Sequence, residues 1–74
     1  MNATEQINTT IARHGMTDKQ ACVYLGVPRM TLRNWRTGAR KPPTVVMRLI
    51  EVLGLIEAMA PEIHAALIPD ADSK

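Results

Sequence analysis

Residues 17–38 read TDKQACVYLGVPRMTLRNWRTG, and the fold turns on this stretch. Thr17 and, three residues on, Gln20 form a capping box, in which a hydroxyl accepts from the Gln20 amide and the Gln20 side chain reaches back. Ala21, Cys22 and Leu25 follow at helical spacing, and Gly26 supplies the left-handed residue that ends a short helix. Pro28 fits the first turn of a second helix, where its missing N–H costs nothing. On that helix Leu32 and Trp35 share one side, and Gly38 stops it. A short helix, a glycine turn and another short helix are the outline of a helix-turn-helix. Cys22 falls where the two helices cross, a place that needs a small side chain. Val27 and Leu32 point inward and Trp35 plugs the base of the second helix. Arg29, Met30, Arg33 and Asn34 are left facing out.

Working outward, Asn2 with Glu5 marks a capped start for an earlier helix that carries Ile7 and Ile11 on one face, and Gly15 closes it. After Gly38, the prolines of Ala39-Arg40-Lys41-Pro42-Pro43 enforce a loop. Thr44 is placed to cap a fourth helix with Val46, Leu49, Ile50 and Leu53 at core spacing. Two continuations are open: one helix running to about Ala60, or a break at Gly54 with a short helix re-forming from Pro61 to Leu67; the break is the expectation. The fold class expected is all-α, a bundle of four to five short helices containing a helix-turn-helix. Residues 1–68 make one domain, with residues 44–68 as a dimerisation segment and 69–74 as a fraying tail.

Composition agrees. In 74 residues aromatics are 3%, with no Phe, so the core must be built from Ile, Leu, Val, Met and Ala, which suits short helices. A single cysteine, Cys22, cannot form an intrachain disulfide. The start, MNATEQINTT, lacks the basic and apolar regions of a signal peptide, and no apolar run approaches the ~18 residues of a membrane span. A soluble cytoplasmic protein is expected.

The formal net charge of +2 hides its distribution. Residues 19–50 hold Lys19, Arg29, Arg33, Arg36, Arg40, Lys41 and Arg48 and no acid, a net of +7. Residues 1–18, with Glu5, Arg13 and Asp18, carry −1, and residues 51–74, with Glu51, Glu57, Glu62, Asp70 and Asp72 against Lys74, carry −4. A basic middle between acidic flanks suits a polyanion; charge alone leaves a merely solvated basic face open.

The segment resembles the Cro/repressor-type (lambda-repressor-like) helix-turn-helix DNA-binding domains. The matching residues are Thr17, Cys22, Leu25-Gly26-Val27, Arg29, Thr31-Leu32, Trp35 and Gly38, followed by Arg40-Lys41-Pro42, and the resemblance spans residues 3–54. The small size and the run TLRNWRTGARKPP also resemble phage autoregulators, including anti-CRISPR-associated repressors. Members of the family are mostly transcriptional repressors or antitoxins that bind operators as dimers. The resemblance therefore implies a sequence-specific regulator of transcription, in a bacterium or phage-infected cell, on an inverted-repeat operator of double-stranded DNA.

Carried over position by position, the resemblance assigns base reading to Arg29, Met30, Arg33 and Asn34. An Arg in the first turn of the recognition helix suits guanine, and Asn suits adenine. Phosphate contact stays open for Arg29 and Arg33, a backbone contact for Asn34, and packing against the preceding helix for Met30. Thr17, Lys19, Thr31, Arg36, Thr37, Arg40 and Lys41 fit backbone clamping, since cations and hydroxyls at helix starts and in the following loop hold register without reading sequence. Two residues depart from the family pattern. Asp18 replaces a Gln that touches phosphate, and suits the helix dipole or an Arg partner instead. Pro28 stands where a Ser often caps the recognition helix.

Val45, Val52, Leu55, Ile56, Met59, Ile63 and Leu67 exceed what one core-facing stripe requires and are expected to join two copies in a homodimer, the alternative being that some of them cap the core around Gly54. Cys22 reads as a small buried residue. His14 and His64 lie far apart in sequence with no Cys/His cluster, so no metal or other cofactor is expected. No nucleophile, carboxylate pair or phosphate loop supports an enzyme. The rival readings are a DNA-binding antitoxin with a protein partner, and a protein-interaction module with a basic docking face.

Overall fold

A computed structural model describes residues 2–70, all helix and turn: α1 (Ala3–Arg13), α2 (Asp18–Leu25), α3 (Arg29–Thr37), α4 (Thr44–Met59) and α5 (Pro61–Leu67). Local chemistry explains the first three boundaries. The Asn2 side chain accepts from the Glu5 amide at 2.8 Å and opens α1. At its end the Met16 amide donates to the Ile11 carbonyl and the Gly15 amide to the Ala12 carbonyl, the paired bonds of a Schellman motif, with Gly15 at φ 62°. The Thr17–Gln20 capping box is formed in both directions, at 3.1 and 2.8 Å. Gly26 at φ 70° ends α2 while Val27 donates back to the Cys22 carbonyl. Pro28 sits just outside α3 as its N-cap, one residue earlier than its expected place inside the first turn.

The core is aliphatic with one indole. Ile7 is 0% and Leu32 1% exposed, and Ile11, Met16, Ala21, Cys22, Leu25, Trp35 and Leu53 are buried around them. α3 packs on both α1 and α2, whereas α4 packs mainly on α5. Burial pushes the Cys22 thiol above its ordinary value, which keeps it a neutral packing group.

The C-terminal half departs from expectation in three ways. First, α4 runs through Gly54 to Met59 and the break falls at Ala60. Gly54 has no positive φ, so it costs helix propensity without changing the chain's direction. Pro61 does change it: a residue before proline is disfavoured in the helical region, and Ala60 adopts φ −146°, ψ 69°. Second, Thr44 is the first helical residue of α4, and its N-cap is Pro43, with no side-chain cap bond. Third, Leu49 is exposed, leaving Leu53 buried and Val46 and Ile50 half-buried against the core.

Beyond α5 the chain stays held as far as Pro69, whose carbonyl accepts from the Gln20 side chain at 2.7 Å, with Ile68 half-buried against the core. The remainder of the expected tail, residues 71–74, lies outside the described residues. Among those described, no helix is long and apolar enough to cross a membrane.

Tertiary packing also joins what the sequence keeps apart. His14 and His64 lie with ring centroids 4.9 Å apart. Tyr24 and His64 share a hydrogen bond of 2.7 Å between the hydroxyl and Nε2. Glu57 receives the Arg13 guanidinium at 2.5 Å, with its second oxygen 3.6 Å from His14 Nδ1. Burial pushes the His14 imidazole below its ordinary value of 6.5; Arg13 and His64 act in the same direction and Glu57 against it. Burial likewise raises the Tyr24 phenol, with Glu57 adding to the shift. The two histidines, far apart in sequence, are thus neighbours where the end of α1 meets α5.

An added Cβ at Gly54 meets nothing within 4 Å. Gly54→Ala should therefore stabilise the domain by about 0.5–1 kcal/mol through helix propensity alone. Urea unfolding checks this, and a loss of stability would show that the helix does not pass through residue 54 as described.

Candidate nucleic-acid interface

α3 is amphipathic in the strict sense that one side is fully used. Leu32 and Trp35 are inside, so Arg29 and Arg33, four residues apart, come out on the opposite face. Met30 lies beside them at 66% exposure. A groove opens between α3, the start of α2 and α1, lined by Arg29, Met30, Arg33, Arg36 and Thr37 from α3 together with Asp18 and Asn8. Asn34 stands apart from that groove. It is half-buried and its carbonyl accepts the Arg40 amide at 3.1 Å, which shapes the turn after α3.

The cations divide into two sets. Arg36 is committed within the protein, paired with Asp18 across the α2–α3 contact and donating from Nε to Asn8 Oδ1 at 2.8 Å. Asn8 returns a bond from its amide to the Arg36 carbonyl at 3.1 Å. Lys19, Arg29, Arg33, Arg40 and Lys41 are exposed and in no ion pair among the described residues. Asp18 therefore does what its charge allows, complementing the α2 N-terminus and neutralising Arg36, while the outward cations keep their full charge.

The hydroxyls are partly engaged. Thr17 accepts the Gln20 amide, which leaves its own proton free to donate. Thr37 donates to the Asn34 carbonyl at 3.4 Å, and Thr31 is half-buried. No side chain caps α3, so its first-turn amides lack a side-chain acceptor beside Arg29, an arrangement that favours an anion.

The second surface is apolar. Val45 and Met59 are 73% and 83% exposed; Val52, Leu55, Ile63 and Leu67 are also exposed, and Ile56 is half-buried. Leu49 joins them, so that Val45, Leu49, Val52, Ile56 and Met59 recur at alternating steps of four and three along α4. That spacing forms one continuous seam on a helix. Asn8 and the His14–Glu57–His64 grouping are not legible as site residues from the sequence, because neither belongs to a local pattern, and Leu49 is missed because its spacing fits a core stripe equally well.

No family model, curated protein or solved structure matches the chain.

The two supports of Arg36 should differ in weight. Asp18 and Arg36 are substantially solvent-exposed, so Asp18→Asn should cost under about 1 kcal/mol. Asn8→Ala removes two part-buried hydrogen bonds and should cost about 1–3 kcal/mol. Urea midpoints of the two variants give the order, and the reverse order would make the α2–α3 ion pair, not the Asn8 bonds from α1, the main support of Arg36.

Proposed function

We propose that this chain is a sequence-specific double-stranded DNA-binding protein, acting as a dimeric transcriptional repressor at an inverted-repeat operator. The observation that carries the reading is the outward face of α3, where Arg29 and Arg33 stand exposed with no acidic partner among the described residues. A first-turn Arg on a helix that enters the major groove matches the two acceptors of guanine, O6 and N7. Met30, between them, offers only apolar contact, suited to a thymine methyl. Arg40, Lys41 and Lys19 lie outside the reading helix and suit phosphate, where they hold register. Arg36 supports this surface by packing and contributes to DNA contact less than the unpaired cations. Repression would follow from occupancy of the operator.

The exposed seam of α4 and α5 supports a homodimer. Seven large apolar side chains on one end of so small a chain exceed the single exposed hydrophobics of an ordinary surface. A second copy offers the same seam in return, as an isologous two-fold interface requires. Such a dimer presents two α3 helices to one side of the duplex, with half-site centres about 34 Å apart.

Selection of bound sequences from a random duplex pool tests the reading, an inverted repeat being the expected product and no enrichment the refuting one. Arg29→Ala and Arg33→Ala should each lose about 1–3 kcal/mol of specific affinity and relax preference at one base pair. Equal weakening on every sequence would make them phosphate-binding residues. The Arg40→Ala/Lys41→Ala double variant should weaken binding uniformly and lower the salt slope by about one unit for each phosphate no longer neutralised. An unchanged slope would remove the loop from the interface.

Met59→Glu and Leu55→Glu, at exposed positions, should give folded monomers by sedimentation that hold a half-site weakly. A wild-type monomer at micromolar concentration would rule out the dimer, and a heterologous protein bound stoichiometrically to this seam would favour an antitoxin.

A further inference from the structure

His14, Glu57 and His64 are the one group of three potential metal ligands brought together among the described residues, with one donor atom from each within 4.8 Å of the others. They come from three places: the residue that ends α1, the last turns of α4, and the middle of α5. From these positions we propose that they form a binding site for a divalent transition-metal ion of the zinc class, independent of the DNA-reading face.

The donor set selects the ion. Two imidazoles and one carboxylate suit zinc and its neighbours, whereas magnesium and calcium demand mostly oxygen. Three protein ligands leave a fourth position to water or to another group, the pattern of an open zinc site. Bonds of about 2.0–2.1 Å to a tetrahedral ion hold donors about 3.4 Å apart. The edge between His14 Nδ1 and Glu57 Oε2 is already 3.6 Å. No edge exceeds 4.8 Å, so that geometry needs a closure of at most about 1.4 Å, within reach of side-chain torsions of the half-buried Glu57 and of His14.

The surroundings hold the ligands in place. His64 is 3% exposed, and the Tyr24 hydroxyl fixes its ring through Nε2 at 2.7 Å, the kind of outer partner that orients a metal-bound imidazole. Arg13 takes the other oxygen of Glu57, leaving Oε2 turned to His14. The guanidinium also opposes an incoming dication, and being largely exposed it can swing away. Bound metal would tie the end of α1 to α4 and α5 more firmly than the exposed Arg13–Glu57 ion pair and the packing of the His14 and His64 rings do without it.

The experiment is calorimetric titration of the chelator-treated full chain with zinc chloride, alongside cobalt(II) absorption as a report of the coordination shell. One equivalent should bind per chain, the melting temperature should rise, and cobalt should develop the intense visible bands of a low-coordinate site. Glu57→Gln and His14→Gln should each lose at least about 10-fold in affinity, no less than removing an outer partner costs. They should also lose the cobalt bands, with native helicity retained by circular dichroism. Arg13→Gln should bind more tightly than wild type. Absence of binding by the folded wild type, or binding undiminished in both ligand variants, would overturn the site. DNA binding by the metal-free chain bears only on the function proposed above, so the two can fail separately.

Discussion

The burial of Leu32 and Trp35 on one side of a nine-residue helix is the constraint on which the rest of this molecule depends. A domain with one Trp, one Tyr and no Phe has few large side chains with which to fill a core. Both α1 and α2 lean on those two, and α3 becomes the element that each of them packs against. Once Leu32 and Trp35 are inside, the geometry of the helix leaves no choice about Arg29 and Arg33. They are thrown outward, and Asp18, in the lining of their groove, is already occupied with Arg36. The character of the outer face is thus a consequence of packing on the inner one.

A polar lattice supplements this small core. Asn8 holds Arg36 at both its backbone carbonyl and its guanidinium, joining α1 to α3. Gln20 serves twice, accepting the Thr17 amide in the capping box and donating to Pro69 at the far end of the chain. Tyr24, His14, His64 and Glu57 join α1, α2, α4 and α5 in one polar knot. Among the described residues no buried side-chain nitrogen or oxygen lacks a partner. That full satisfaction is what allows polar links to add to stability instead of subtracting from it.

The C-terminal half is built the opposite way. α4 contributes one buried residue, Leu53, and turns most of its other apolar side chains to an outward seam. A helix that packs mainly on α5 has two apolar faces and one small domain to cover them. The uncovered one is continuous, since Leu49 completes the spacing from Val45 to Met59. The acids of α4 are engaged in ion pairs, Glu57 with Arg13 and Glu51 with Arg48.

The first three helices are legible in the sequence because their boundaries are local events. Asn2 and Glu5, Thr17 and Gln20, and the left-handed glycines at 15, 26 and 38 act over three or four residues, and each sits where its chemistry predicts. The inward pair Leu32 and Trp35, and so the outward Arg29 and Arg33, follow from periodicity alone. Gly54 and Pro61 are harder to rank, since glycine lowers helix propensity without forbidding a helix, whereas proline constrains its neighbour sterically. What the tertiary structure decided is every relation that spans the chain. No spacing rule joins Asn8 to Arg36 or His14 to Glu57 and His64, because residues distant in sequence meet only through the packing of several helices at once. Leu49 departs from its expected place for the same reason: its spacing fits a core stripe, but only the placement of α4 against α5 and the small core determines which apolar stripe is covered.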